Sequence, residues 1–215
     1  MVRFSIFGIP VIIQPFFWIT LGIIAVLWNP NARHGTSPEA LLEVALFVIA
    51  GFISILVHEL GHALTARKFG AQCHIVLQSM GGYASYTGVH MTRTRSFLIT
   101  AGGPAIQIVL ALIIGLIITN SANLTHFANY FLTRLWLISW IWAVFNLIPV
   151  LPLDGGRMLE SLLGPQRIKI TFRISLIIAA SLAVLGLITG ELFITVIMGM
   201  FAWQSWKALQ QVGWR

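Results

Sequence analysis

The sequence predicts an all-α integral membrane protein of about six transmembrane helices, carrying a small membrane-associated β-hairpin and built as a single domain over residues 1–215. Three observations predict it. Of the 215 residues, 58% are hydrophobic and only 9% charged, whereas a soluble domain carries roughly a quarter charged residues. The apolar residues fall in long runs along the whole chain. The basic residues gather in the short segments between those runs, so the net charge of +7 needs no folded basic face for nucleic acid.

A bilayer core of about 30 Å takes about 20 residues of helix. Runs of that length lie at about 9–28, 40–66, 97–119, 131–148, 171–189 and 191–207. The first shows no small-residue cleavage signature and is long enough to span, so it reads as a retained helix and not as a removed signal peptide. Pro149 and Pro152 cut the fourth short, and a tight turn around Gly190 and Glu191 parts the fifth from the sixth. No charge-rich stretch has the length of an appended soluble module.

With six spans the basic residues divide unevenly. Arg3, Arg67, Lys68, Arg93, Arg95, Arg157, Arg167, Lys169, Arg173, Lys207 and Arg215 fall on one side, Arg33 and Arg134 on the other. This asymmetry puts both termini in the cytoplasm. Trp28, Trp136, Trp206 and Trp214 fall near expected interfaces, while Trp140 and Trp142 lie deeper and read as packing residues. The single cysteine, Cys73, excludes an intramolecular disulfide and reads as a small apolar or interfacial residue.

The connections are short except for residues 69–96. There, β-favouring residues flank Gly81 and Gly82, which reads as a hairpin with its turn or a bulge at the glycine pair.

The second span contains HELGH. In a helix His58 and His62 lie one turn apart on one face, so their imidazoles can converge on one ion. Glu59 projects about 100° away from His58, placed to reach a water at the metal without ligating it. With six His and five Glu in the chain, chance gives such a match in roughly 0.4% of sequences of this composition. A carboxylate in mid-membrane costs about 2.5–3.5 kcal/mol on insertion scales, which marks Glu59 as functional.

A catalytic zinc has three protein ligands and an open position. A downstream histidine ligand would fall at Lys68, no Glu occurs between Glu59 and Glu160, and Glu43 is four helical turns away. What is left is the only aspartate, Asp154, in FNLIPVLPLDGGRML. Gly155 and Gly156 permit the backbone path that turns its carboxylate towards a neighbouring helix. The competing role for Asp154 is N-cap of a short helix over 155–163. His34, His74, His90 and His126 have no partner at ligand spacing and read as interfacial.

HELGH in a span, followed by N-x-x-P-x-x-P-L-D-G-G, resembles the site-2 protease family of intramembrane zinc metalloproteases, over about residues 40–163. The resemblance implies a three-helix catalytic core near the cytoplasmic side, with one Zn²⁺ per chain held by His58, His62 and Asp154 and with Glu59 as catalytic base. Asn146 takes the family's asparagine position, where it either stabilises an oxyanion or caps the interrupted span. Ala101–Gln107 resembles the family's A-G-P segment, with Gln107 where an Asn is common. Many relatives carry a PDZ or CBS domain, and this chain resembles the minimal form. The helices at about 9–28 and 171–207 flank the core.

The activity so implied is peptide-bond hydrolysis within or near the transmembrane segment of a membrane-protein substrate, in a bacterial or archaeal cell membrane. Gly81 and Gly82 offer an edge on which an unwound substrate pairs strand to strand; the alternative is an ordinary surface hairpin. The expected partners are the substrate and the lipid bilayer, with no nucleic acid and with a regulatory partner or oligomer left open. The rival function is a divalent-metal (zinc) transporter, which would call for further polar residues along a path through both membrane halves.

Overall fold

The computed structural model describes residues 1–29, 37–79 and 81–213. Arg33, His34, Trp214 and Arg215 lie outside the described residues. Among the described residues the chain forms strands β1 (Val2–Ile6) and β2 (Ile9–Ile13), helices α1 (Pro15–Trp28) and α2 (Pro38–Lys68), strands β3 (Gln72–Gln78) and β4 (Gly81–Thr87), and helices α3 (Arg93–Asn120), α4 (His126–Leu147), α5 (Asp154–Leu163), α6 (Ile168–Thr189) and α7 (Leu192–Gly213). Among the described residues, five helical segments are long and apolar enough to cross a membrane: Pro38–Lys68, Arg93–Asn120, His126–Leu147, Pro165–Thr189 and Leu192–Val212. Their outward faces carry exposed apolar side chains such as Leu116, Ile177, Val184 and Ile188. In water such surfaces would aggregate, and in a bilayer they meet acyl chains. The protein is an integral membrane protein.

The first span expected from the sequence is corrected at its start. Ile9–Ile13 is strand, and the helix that follows has 14 residues, about 21 Å at 1.5 Å per residue. Phe7 (φ 51°) and Gly8 (φ 75°) both have positive φ and join β1 to β2 in a two-residue turn, the geometry that suits the right-handed twist of a hairpin.

The expected hairpin is also only half of the sheet. Four strands lie in the order β1-β2-β3-β4, antiparallel except for the parallel pair β2-β3, where Val11 faces Ile75 and Ile13 faces Leu77. In the β3–β4 hairpin Gln78 pairs with Gly81, so the chain reverses before the glycine pair and both glycines belong to β4. Ile9, Val11, Ile13, Ile75 and Leu77 are buried and pack with Phe17, Leu56 and Leu60 of α1 and α2.

These elements belong to a first compact unit, residues 1–90 and 102–143, and the rest, 91–101 and 144–213, to a second. In the first, α2 is the long central element. The Ser37 hydroxyl accepts from Ala40 N at 3.2 Å, Pro38 opens the helix, Glu39 lies in its first turn, and Arg67 and Lys68 lie in its last. Cap and charges complement the helix dipole at both ends. Glu43, buried on α2, accepts from Asn29 Nδ2 at 3.0 Å and lies 3.1 Å from His126 Nε2. To the reading of His126 as an interfacial residue the structure adds this contact, which joins two residues 83 positions apart. On β3, burial pushes the Cys73 thiol pKa up, with the Arg67 guanidinium opposing.

In the second unit α6 and α7 form a helical hairpin turned by Gly190 in the left-handed conformation (φ 77°). Val150, Leu153, Ala179, Met198 and Ala202 are buried together there. The Ser175 hydroxyl accepts from Leu151 N at 3.1 Å, tying the LIPVLPLD segment to α6.

Candidate metal centre

Helix α2 presents His58, Glu59 and His62 within five residues, and all three are buried, 3%, 5% and 8% exposed. The i, i+4 spacing stacks the two imidazoles one turn apart. Their ring centroids are 4.8 Å apart, the planes stand at 82°, and the Nε2 atoms are 3.1 Å from each other. Two nitrogens each about 2.0–2.1 Å from a tetrahedral zinc would be about 3.3 Å apart. The pair therefore suits one divalent ion shared between both rings.

Close packing by α3 holds this turn in place. A Cβ on Gly61 would lie 2.2 Å from the Gly102 carbonyl oxygen, and one on Gly102 would lie 2.4 Å from Thr65 Oγ1. The two backbones meet with no side chain between them, the small-residue contact by which membrane helices approach closely. One residue on, a Cβ on Gly103 would lie 2.3 Å from His62 Nε2. One turn after Gly103, Gln107 is wholly buried (0% exposed), with Oε1 2.9 Å from His58 Nδ1. Its Nε2 donates to Ser54 O at 3.3 Å and to Ser54 Oγ at 2.8 Å, and Ser54 Oγ is 3.0 Å from Ser139 Oγ on α4. Pro104, between Gly103 and Gln107, deprives α3 of one intrahelical donor.

From the sheet side, Gly82 lies against Glu59. A Cβ there would be 2.7 Å from Glu59 Cγ, 3.0 Å from Glu59 Cδ and 2.8 Å from Leu77 Cδ2. Gly81 (φ 120°) has the Trp142 ring 3.0 Å from where its Cβ would be. Gly82 is required by close approach, and Gly81 by its positive φ beside the hairpin turn, with the Trp142 ring against it.

Asn146 and Asp154 belong to the second unit. Asn146 is half-buried in the last turn of α4. Asp154 is the first residue of α5, 8% exposed, and the N-cap position is taken by Leu153. The N-cap expectation for Asp154 is corrected accordingly. Gly155 and Gly156 are helical. A Cβ on Gly155 would lie 2.2 Å from Leu147 O and one on Gly156 2.5 Å from Leu151 N. Their contribution is the absence of a side chain where two stretches of backbone touch.

Gln107, Gly103 and Gly82 are the site residues that motif reading missed as contacts of the HELGH turn. The signal for the first two was present: a glutamine in an apolar span, one helical turn after a glycine pair.

Residues 46–124 and 117–189 match the sequence pattern of peptidase family M50. The chain belongs to that family. Its curated relatives include a protein of Synechocystis sp. that carries the provisional name of a zinc metalloprotease, 33% identical over 94% of this chain and 57% of the relative. A zinc metalloprotease of Methanocaldococcus jannaschii is 29% identical over 91% of this chain and 55% of that protein. The chain thus spans a little over half the length of these curated relatives. Among solved structures, the site-2 protease from Methanocaldococcus jannaschii superposes with a TM-score of 0.63 at 22% identity, covering 97% of this chain and 94% of that one. The M50 chain described here therefore has the site-2 protease fold.

Proposed function

We propose that this chain is an intramembrane zinc metalloprotease that hydrolyses peptide bonds within or near transmembrane segments of membrane-protein substrates. The observation that carries the reading is the buried turn of α2, where two imidazole nitrogens 3.1 Å apart share a helix with an adjacent carboxylate. M50 membership and the names of the relatives support hydrolysis over metal transport.

His58, His62 and Asp154 would hold the metal. Two neutral imidazoles and one carboxylate form a donor set suited to a catalytic zinc with one position open. Zinc, when bound there, supplies a Lewis acid that acidifies water and polarises the scissile carbonyl. Glu59 then accepts a proton from the water as its oxygen bonds to the carbonyl carbon. The same carboxyl delivers a proton to the departing nitrogen as the C–N bond breaks, leaving a carboxylate and an amine. Asn146 donates a hydrogen bond to the developing oxyanion, a contact worth about 2.7–4 kcal/mol when well placed.

A helical substrate hides its carbonyls in its own hydrogen-bond ladder and must unwind first. β4 is an edge of the sheet, and an extended segment adds to it as a further strand. Gly81 and Gly82 open that strand, and Gly82 lies on Glu59. The distribution of basic residues supports cytoplasmic termini and a site towards the cytoplasmic side.

Metal analysis of the purified chain, paired with cleavage of single-span substrates, tests the reading. Asp154→Ala should lower zinc stoichiometry and abolish cleavage. Full zinc and cleavage in Asp154→Ala, with loss of both in Glu160→Ala, would overturn the ligand assignment.

A further inference from the structure

The hydrogen bonds of Gln107 determine which ring nitrogen of His58 carries the proton. A glutamine amide can face its neighbours in two ways, and ordinarily a network must choose between them. Here the choice is forced, because Ser54 O is a backbone carbonyl and can only accept. The Gln107 atom 3.3 Å from it must be the donor, Nε2. The reversed amide would turn its NH2 to His58 Nδ1 but set its carbonyl oxygen 3.3 Å from that of Ser54, two acceptors facing each other in a buried site with no hydrogen between them. With Nε2 committed to Ser54, it is Oε1 that lies 2.9 Å from His58 Nδ1, and Oε1 can only accept. His58 Nδ1 therefore carries the hydrogen, and the Nε2 lone pair is left on the side facing His62 Nε2.

We infer that Gln107 is a positioning residue that locks His58 in the Nδ1–H tautomer and so prepares its Nε2 as a metal ligand. The inference rests on the zinc reading above for its purpose, but the tautomer itself follows from unit geometry alone. Three features show that the lock is rigid. Gln107 is fully buried, its amide is held at both ends, and the Ser54 hydroxyl that accepts from it is in turn bonded to Ser139 of α4. The chain of contacts thus ties α2, α3 and α4 to one imidazole. Partners of this kind behind a ligating histidine typically change metal affinity 10–100-fold.

The test separates the bond to His58 from the bonds to Ser54. Gln107→Glu keeps an acceptor towards Nδ1 and loses the donor towards Ser54, whereas Gln107→Met fills similar volume and loses both. Zinc affinity is read by chelator competition on full-length protein whose helical content matches wild type. We expect Gln107→Met to bind zinc about 10–100-fold more weakly and Gln107→Glu to stay within about threefold of wild type. Equal losses in the two variants would mean that Gln107 only braces the helices, and no loss in either would mean that it does not position His58; both overturn the inference. A second measurement needs no variant: ¹⁵N NMR of selectively labelled histidine in metal-free wild type, with His58 assigned by its loss in His58→Gln. Protonation at Nδ1 supports the inference, and protonation at Nε2 or a tautomer mixture overturns it. If wild type binds no zinc, the protease reading fails while the NMR result still decides the tautomer.

Discussion

Gly82 of β4 lies directly on Glu59 of α2, so close that a single added methyl would fall 2.7 Å from Glu59 Cγ. The edge strand and the proposed base are therefore one mechanical unit. Gly82→Ala should push the Glu59 carboxyl aside and lower turnover about tenfold to a hundredfold, the cost of misplacing a reacting group by about 1 Å. Zinc content should stay at the wild-type value, since the atoms nearest the added methyl belong to Glu59 and Leu77 and not to either imidazole. Metal analysis and a cleavage assay on the same preparation check both halves, and a variant that cleaves at the full rate would show that the strand yields instead.

Glu59→Gln tests the carboxylate itself. Volume is nearly conserved and both histidines remain, so the protein should load zinc and retain its fold. A glutamine cannot accept the proton, and loss of a general base costs about 10²–10⁴ in rate. Equal cleavage rates for zinc-loaded wild type and Glu59→Gln would remove Glu59 from the mechanism.

The helix contact beneath the site is testable by stability. Gly61→Ala places a Cβ 2.2 Å from the Gly102 carbonyl oxygen, and backbone cannot swing away as a side chain can. Overpacking of this kind costs about 1–3 kcal/mol, read as a lower unfolding midpoint in detergent. Gly22→Ala is the control, because nothing lies within 4 Å of its Cβ position. There alanine should leave the midpoint unchanged or raise it, by up to about 1 kcal/mol of helix propensity.

Topology follows from the basic residues. Reporter fusions after Ser96 and at Arg215 should report the cytoplasmic side, and a fusion near Asn123 the opposite side. If Ser96 and Asn123 report the same side, the proposed orientation of the site fails.

What the sequence made legible was what depends on near neighbours. Run length located the five long apolar helices, and the HELGH spacing located the paired imidazoles, because both are set within one element. Ile9–Ile13 was misread since five apolar residues look alike in a strand and in a helix. Only the pairing with β1 and β3 decides between them. Gly81 and Gly82 were identified without the side chains that press on them, and Gln107 was noticed without its hydrogen bonds. Each of these depends on a residue brought near by folding: Trp142 for Gly81, Glu59 for Gly82, and His58 for Gln107.

The parallel pairing of Val11 with Ile75 imposes an order on biosynthesis. At about 5–20 residues per second, the β1–β2 hairpin leaves the ribosome several seconds before β3 exists to receive it. A two-stranded hairpin alone is marginally stable in water, so during that interval the N-terminal strands have no lasting partner within the chain. β4 arrives later still, and with it the glycine that lies on Glu59. The HELGH turn of α2 is thus synthesised before the β3–β4 hairpin that lies against it, and the nascent chain carries these residues for some time before Gly82 can restrain Glu59.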